Sequence, residues 1–215
     1  MLIHRLSEKI ADILATHIGW QNKTAVLTYG FELIIGESFK LALLISLSAL
    51  FDLLTPTLLI MFTAIPFRLL TGGTHCTTYF RCVVLTLFAY LVLAAAASEL
   101  YPFLANESSF VILPILLIIG LTAIKLWVPC PNPNRSFDLP EIAKFRRLSR
   151  LFLISWGLVC LLFGIFAAGP AFTMFFVSTA MGILWQIFLV SPPGTRFFNV
   201  IEKIFNFFLK PKEVN

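Results

Sequence analysis

Six apolar stretches set the rhythm of this chain: Phe39–Leu54, Pro56–Leu70, Val83–Ser98, Phe110–Val128, Leu151–Ala168 and Ala171–Val190, parted by more polar connections of unequal length. About 20 apolar residues, and as few as ~17, carry a helix across the roughly 30 Å hydrocarbon core of a bilayer. The pattern therefore predicts about six transmembrane helices. The first two stretches are short and are parted only by Asp52 and Thr55-Pro56, so a tight hairpin of two full spans and a re-entrant pair both fit them. The ends follow a different period. Apolar residues at 3, 6, 10, 13, 14 and 18 in Met1–Ile18 keep helical spacing with polar residues between, which predicts an amphipathic helix lying at the membrane surface. The Phe-rich stretch Arg196–Leu209 carries the same expectation. Charges at 5, 8, 9 and 12 interrupt the N-terminal stretch where a signal peptide would be continuously apolar.

Composition agrees and excludes the alternatives. Of 215 residues, 59% are hydrophobic and 13% charged, with a mean hydropathy of +0.91. A soluble domain is roughly 45–50% apolar and about 25% charged. A soluble enzyme, a disulfide scaffold and a disordered chain are all excluded by that imbalance. The expected fold class is thus an all-α polytopic membrane protein. Its expected layout is one membrane-embedded domain over residues 1–215: an interfacial region 1–38, a bundle 39–190 and an amphipathic tail 191–215.

Charge then orients the bundle. Arg5, Lys9, Lys23 and Lys40 precede or open the first span, and Arg68 and Arg81 flank the second connection. Lys125, Arg135, Lys144, Arg146, Arg147 and Arg150 surround the fourth connection, and Arg196, Lys203, Lys210 and Lys212 lie in the tail. These are all 16 Lys and Arg residues; the connections near 52–57, 99–109 and 169–171 hold none. The positive-inside rule places both termini and the basic connections in the cytoplasm. The net charge of +5 then follows from topology and attraction to lipid headgroups, with no nucleic-acid partner implied.

The chemistry concentrates in Arg68-Leu-Leu-Thr-Gly72-Gly73-Thr-His75-Cys76-Thr-Thr-Tyr-Phe-Arg81-Cys82, where the second span gives way to the third. Ionisable residues at a membrane edge are functional candidates by default. His75 and Cys82 are the residue types of a general base and a thiol nucleophile. Arg68 and Arg81 supply positive charge or a bidentate clamp for a carboxylate. On one straight helix, side chains seven residues apart stand about 10.5 Å apart along the axis, too far for a Cys–His hydrogen bond. A break in the backbone is required, and Gly72-Gly73 offers one. Cys76 is a rival nucleophile. A zinc site of His75, Cys76, Cys82 and Cys130 is a further alternative, though the chain has no CxxC pair. Structural disulfides are not expected among Cys76, Cys82, Cys130 and Cys160, three of which face the reducing cytosol and one of which lies in a span. A small peptide or ion transporter and a non-catalytic membrane adaptor remain open as other classes of function.

The run Arg68-x4-Gly73-x-His75-x6-Cys82 between two apolar spans resembles the accessory gene regulator B family, the membrane cysteine endopeptidases of Gram-positive quorum sensing. Tyr29-Gly30-Phe31-Glu32-Leu33 resembles that family's N-terminal pattern, and Val128-Pro129-Cys130-Pro131-Asn132-Pro133-Asn134-Arg135 its Pro-rich loop. Cys76 departs from the family, which usually has a small residue there. The resemblance implies that Cys82 is the nucleophile and His75 its base. Gly73 would shape the loop, Arg68 would orient His75 or hold acidic substrate, and Glu32 would be a candidate third member. The implied reaction removes the C-terminal tail of a short amphipathic precursor peptide through an acyl-enzyme thioester and yields a cyclic thiolactone. It also implies a homodimer in the cell membrane, with the active site at the cytoplasmic face and no metal or other cofactor.

Overall fold

A backbone inside hydrocarbon must satisfy its own hydrogen bonds, which a helix does within a single segment. The computed structural model describes residues 2–74, 76–104, 106–130 and 137–208, and its regular elements are all helical, with no strand among the described residues. They are α1 (Leu2–Ile18), α2 (Thr24–Leu50), α3 (Leu54–Thr71), α4 (Tyr79–Leu100), α5 (Asn106–Trp127), α6 (Leu139–Phe166), α7 (Pro170–Val190) and α8 (Pro192–Phe208). Six helices, α2 to α7, are long and apolar enough to cross a membrane. The protein is an all-α, multi-pass membrane protein.

Each spanning helix begins before its apolar stretch, while α2, α5 and α6 end short of the expected Leu54, Val128 and Ala168. α2 runs unbroken through residue 38 and starts at Thr24, 15 residues before the apolar stretch, with Lys40 and Glu37 pairing along its side. α6 starts at Leu139, where Asp138 and Glu141 form a capping box, and only enters its apolar stretch three turns later. Hydropathy marks entry into hydrocarbon, whereas helix ends are set by caps and glycines.

By packing, the chain falls into two compact units, Met1–Asp52 and Leu53–Asn215. In the first, α1 packs along α2. Ser7, Ala11 and Ala15 are buried, while Leu6, Ile13, Leu14 and Ile18 stay exposed. The small residues, spaced one turn apart, allow close approach, and the apolar residues are left to meet lipid.

In the second unit α7 is the central helix. Its span is 67% buried, against 33–44% for α3 to α6, and it touches α3, α4, α5, α6 and α8. Lipid tails are as apolar as leucine, so this packing rests on fit rather than on escape from water. Phe67, Ile124, Leu153, Trp156, Phe172, Phe176 and Ile183 form its core, with Phe67 stacked on Phe152 at 5.3 Å between ring centres. A Cβ on Gly182 would stand 2.8 Å from the Ile60 carbonyl oxygen, so α3 and α7 approach backbone to backbone at this glycine. That contact runs toward the end of α3 where the Gly–His–Cys segment begins.

Candidate active site

α3 ends in a turn that only glycines accept readily. Gly72 takes φ +74° and Gly73 φ +154°, and the Gly72 N–H closes the helix on the Arg68 carbonyl at 2.9 Å. Arg68, in the last turn of α3, reaches forward and donates from Nη2 to the Thr74 carbonyl at 2.8 Å. A Cβ on Gly73 would fall 2.9 Å from Arg68 Nη1, so the guanidinium fills the space a larger residue would need.

Three neighbours grip the same turn. Gln186 of α7 is fully buried and donates from Nε2 to Thr71 Oγ1 at 2.7 Å and to the Gly72 carbonyl at 2.6 Å. The carbonyl needs a donor, which fixes the orientation of the amide. Thr71 passes its own proton to the Phe67 carbonyl at 2.9 Å. From the other side the Cys130 N–H donates to the Thr71 carbonyl at 2.9 Å, and Ser149 Oγ donates to the Leu70 carbonyl at 3.3 Å. The chain at Val128, where the Pro-rich loop begins, is itself tied back, because Arg146 Nε donates to the Val128 carbonyl at 2.7 Å. Just beyond the glycines, Thr74 donates from N and Oγ1 to the Leu189 carbonyl at 3.5 and 3.2 Å.

The chain then crosses to α4 through residues 76–78, which belong to no helix. The Thr77 N–H and hydroxyl both donate to the Glu202 carboxylate of α8, at 2.7 and 2.8 Å, and Arg81 Nη1 pairs with the same carboxylate. The Cys82 N–H donates to the Thr78 carbonyl at 3.1 Å, the first hydrogen bond of α4. Cys82 thus stands in the first turn of α4. Cys76 lies against Leu85, Leu189 and Phe198. Burial pushes its thiol up to about 11, helped by the charges of Cys82 and Glu202 and partly offset by Arg81 and Arg68. Burial likewise raises the Cys130 thiol, with Arg68 opposing.

Of the residues singled out from sequence, Arg68, Gly73, Arg81 and Cys82 lie along this one turn and helix start, while His75 lies outside the described residues. Arg81 is engaged with Glu202. Glu32 belongs to the first unit, where its carboxylate meets His4 Nδ1. Pro131 to Arg135 of the Pro-rich loop, and Lys210 and Lys212 of the tail, also fall outside the described residues. Among the described residues no group of three or more His, Cys, Asp or Glu is gathered as a metal site requires. A cleft of ≈ 700 Å³ is lined by Cys130, Trp127, Phe137, Arg146, Val190 and Arg196 among others; its volume is in the range of ligand sites.

Two residues of the site escape the sequence reading, Gln186 and Glu202. The first is a lone amide in an apolar run and the second the single acid in the Phe-rich tail stretch. Polarity out of place was the available signal.

No curated protein and no solved structure matches the chain. The family model of accessory gene regulator B matches residues 7–190, from α1 to the end of α7. The chain therefore belongs to the accessory gene regulator B family, whose role is the processing of quorum-sensing peptides.

Proposed function

We propose that the protein is a membrane cysteine endopeptidase with Cys82 as nucleophile and His75 as general base, acting at the cytoplasmic face on a short amphipathic precursor peptide. One observation carries this reading. α4 begins only at Tyr79, so His75 does not share a straight helix with Cys82 and the 10.5 Å objection to their meeting falls away. The chain immediately before His75 is held by Arg68, Gln186 and Cys130, as a precise catalytic geometry needs.

In the proposed reaction His75 takes the Cys82 proton, and the thiolate attacks the scissile carbonyl. The tetrahedral intermediate collapses to a thioester as His75 passes the proton to the departing amine of the C-terminal tail. A cysteine thiol of the bound peptide then gives up its proton and attacks the thioester. Cys82 leaves, the proton returns to its sulfur through His75, and the peptide closes as a thiolactone. A site at the membrane edge limits water, and so favours ring closure over hydrolysis. Cys76 is the weaker candidate, because the thiolate is the nucleophile and a thiol pushed up to about 11 is almost entirely protonated at neutral pH. The cleft beside Cys130, apolar with Arg146 and Arg196 at its edge, suits a peptide that is apolar in one part and acidic in another.

The test co-expresses the chain with a tagged amphipathic precursor that has an internal cysteine and an acidic tail. Cys82→Ser and His75→Ala should remain in the membrane and release no tail, and iodoacetamide at pH 8 should label Cys82 well before Cys76. Labelling of Cys76 should accelerate only as pH climbs toward about 11, since a raised thiol value delays thiolate formation. Tail release by Cys82→Ser at the wild-type rate would sink the assignment.

A further inference from the structure

The family match stops at residue 190, yet the segment between His75 and Cys82 is fastened by a residue beyond it. Glu202, on α8, takes three hydrogen bonds: the Thr77 N–H at 2.7 Å, the Thr77 hydroxyl at 2.8 Å and Arg81 Nη1. Both of its oxygens are used. Arg81 Nη1 also reaches Thr77 Oγ1 at 3.3 Å, and its guanidinium lies over the Phe205 ring, one turn further along α8, at 5.6 Å. Thr77 and Arg81 are two of the six residues that separate the proposed base from the proposed nucleophile.

An exposed ion pair contributes little, but this one is sheltered. The Arg81 and Glu202 side chains are only 12% and 14% exposed. On the same helix as Glu202, Phe198 and Ile201 pack with Leu85 of α4, Leu189 of α7 and Cys76. Burial pushes the Glu202 carboxyl up, but its bonds from Thr77 and Arg81 outweigh that and hold it below the usual carboxylate range, so it is charged at neutral pH. The bond to the Thr77 N–H answers a main-chain donor in a stretch that no helix satisfies.

We propose that Glu202 is a positioning residue of the peptidase site: through Thr77 and Arg81 it sets the path of the chain from His75 to Cys82, so that the amphipathic tail helix α8 is a working part of the enzyme. This rests on the peptidase reading above. In this role Glu202 acts not on the substrate but on the distance and angle between the residues that carry out the reaction. An amide at position 202 can keep one face of these contacts but turns a donor toward another donor, whereas Asp keeps the charge on a shorter arm.

The experiment uses the full chain in vesicles and compares wild type with Glu202→Gln, Glu202→Asp and, as control, the exposed neighbour Lys203→Gln. The readouts are kcat and KM for tail release from the tagged precursor, and the pH profile of iodoacetamide labelling at Cys82 followed peptide by peptide. Glu202→Gln should lower kcat about tenfold or more and change KM by less than about twofold. It should also bring Cys82 labelling at neutral pH down toward that of His75→Ala. Glu202→Asp should recover part of both losses, and Lys203→Gln should match wild type.

Wild-type kcat and labelling profile in Glu202→Gln would overturn the proposal. So would a fall in activity with an unchanged Cys82 profile, because that describes a smaller amount of intact enzyme rather than a displaced one. If wild-type Cys82 labels no faster than in His75→Ala, the peptidase reading fails and this proposal goes with it. The two failures are therefore distinguishable.

Discussion

Gln186 shows how one side chain can govern a turn it does not belong to. It is buried in α7 and gives both of its amide protons to the residues that end α3. Replacing it with Leu leaves the Gly72 carbonyl and the Thr71 hydroxyl without that donor inside the protein, a loss of about 1–3 kcal/mol for an unanswered buried group. Gln186→Leu should therefore lower the unfolding temperature in detergent and cut tail release, while Gln186→Glu, which sets a carboxylate against a carbonyl, should be worse. Thermal unfolding followed by tryptophan fluorescence checks this; equal stability of Gln186→Leu and wild type would show that the bonds do not matter. The Gly–His–Cys run stands out in sequence because those types are rare beside apolar spans. Gln186 does not, because one amide has no spacing from which to read a partner 115 residues away.

Among the elements, α8 depends on a corner with no room in it. A Cβ on Gly194 would lie 1.9 Å from the Phe188 carbonyl oxygen, closer than any two such atoms can come. Ser191 helps close the same corner, donating from Oγ to the Phe188 carbonyl at 2.7 Å and receiving the Gly194 N–H at 3.3 Å. Gly194→Val should swing α8 away from α7 and strip Glu202 from Thr77, leaving the spans in place. The expected result is rapid trypsin cleavage in the tail at Arg196 and Lys203, with little tail release from precursor; a tail as resistant as in wild type would contradict it. At this scale the sequence predicts both amphipathic end helices from their periodicity. It does not predict their docking faces: α1 packs through Ser7, Ala11 and Ala15, residues that an apolar-face reading passes over. The turn that joins α7 to α8 is likewise set by local space, not by hydropathy.

For the molecule as a whole, the six spans were legible because about 20 apolar residues per crossing is a demand of the solvent rather than of the fold. The way helices sort around α7 was not, since apolar residues facing lipid and apolar residues facing α7 look alike in sequence. Orientation is a separate question, and the segregation of all 16 basic residues predicts its answer. Ser108→Cys, at the start of α5, should react with an impermeant maleimide in intact cells, and Lys144→Cys, in the first turns of α6, only after the cells are opened. The reverse pattern would invert the topology. Time of synthesis follows from the same map. Thr71 waits for Gln186, 115 positions later in the chain, and Thr77 for Glu202, 125 positions later. Contacts so distant in sequence close last. On the proposed peptidase reading, a nascent chain that has already delivered Cys82 to the membrane therefore keeps Thr77 and Arg81 unfastened until α8 leaves the ribosome, and tail release is expected only after that.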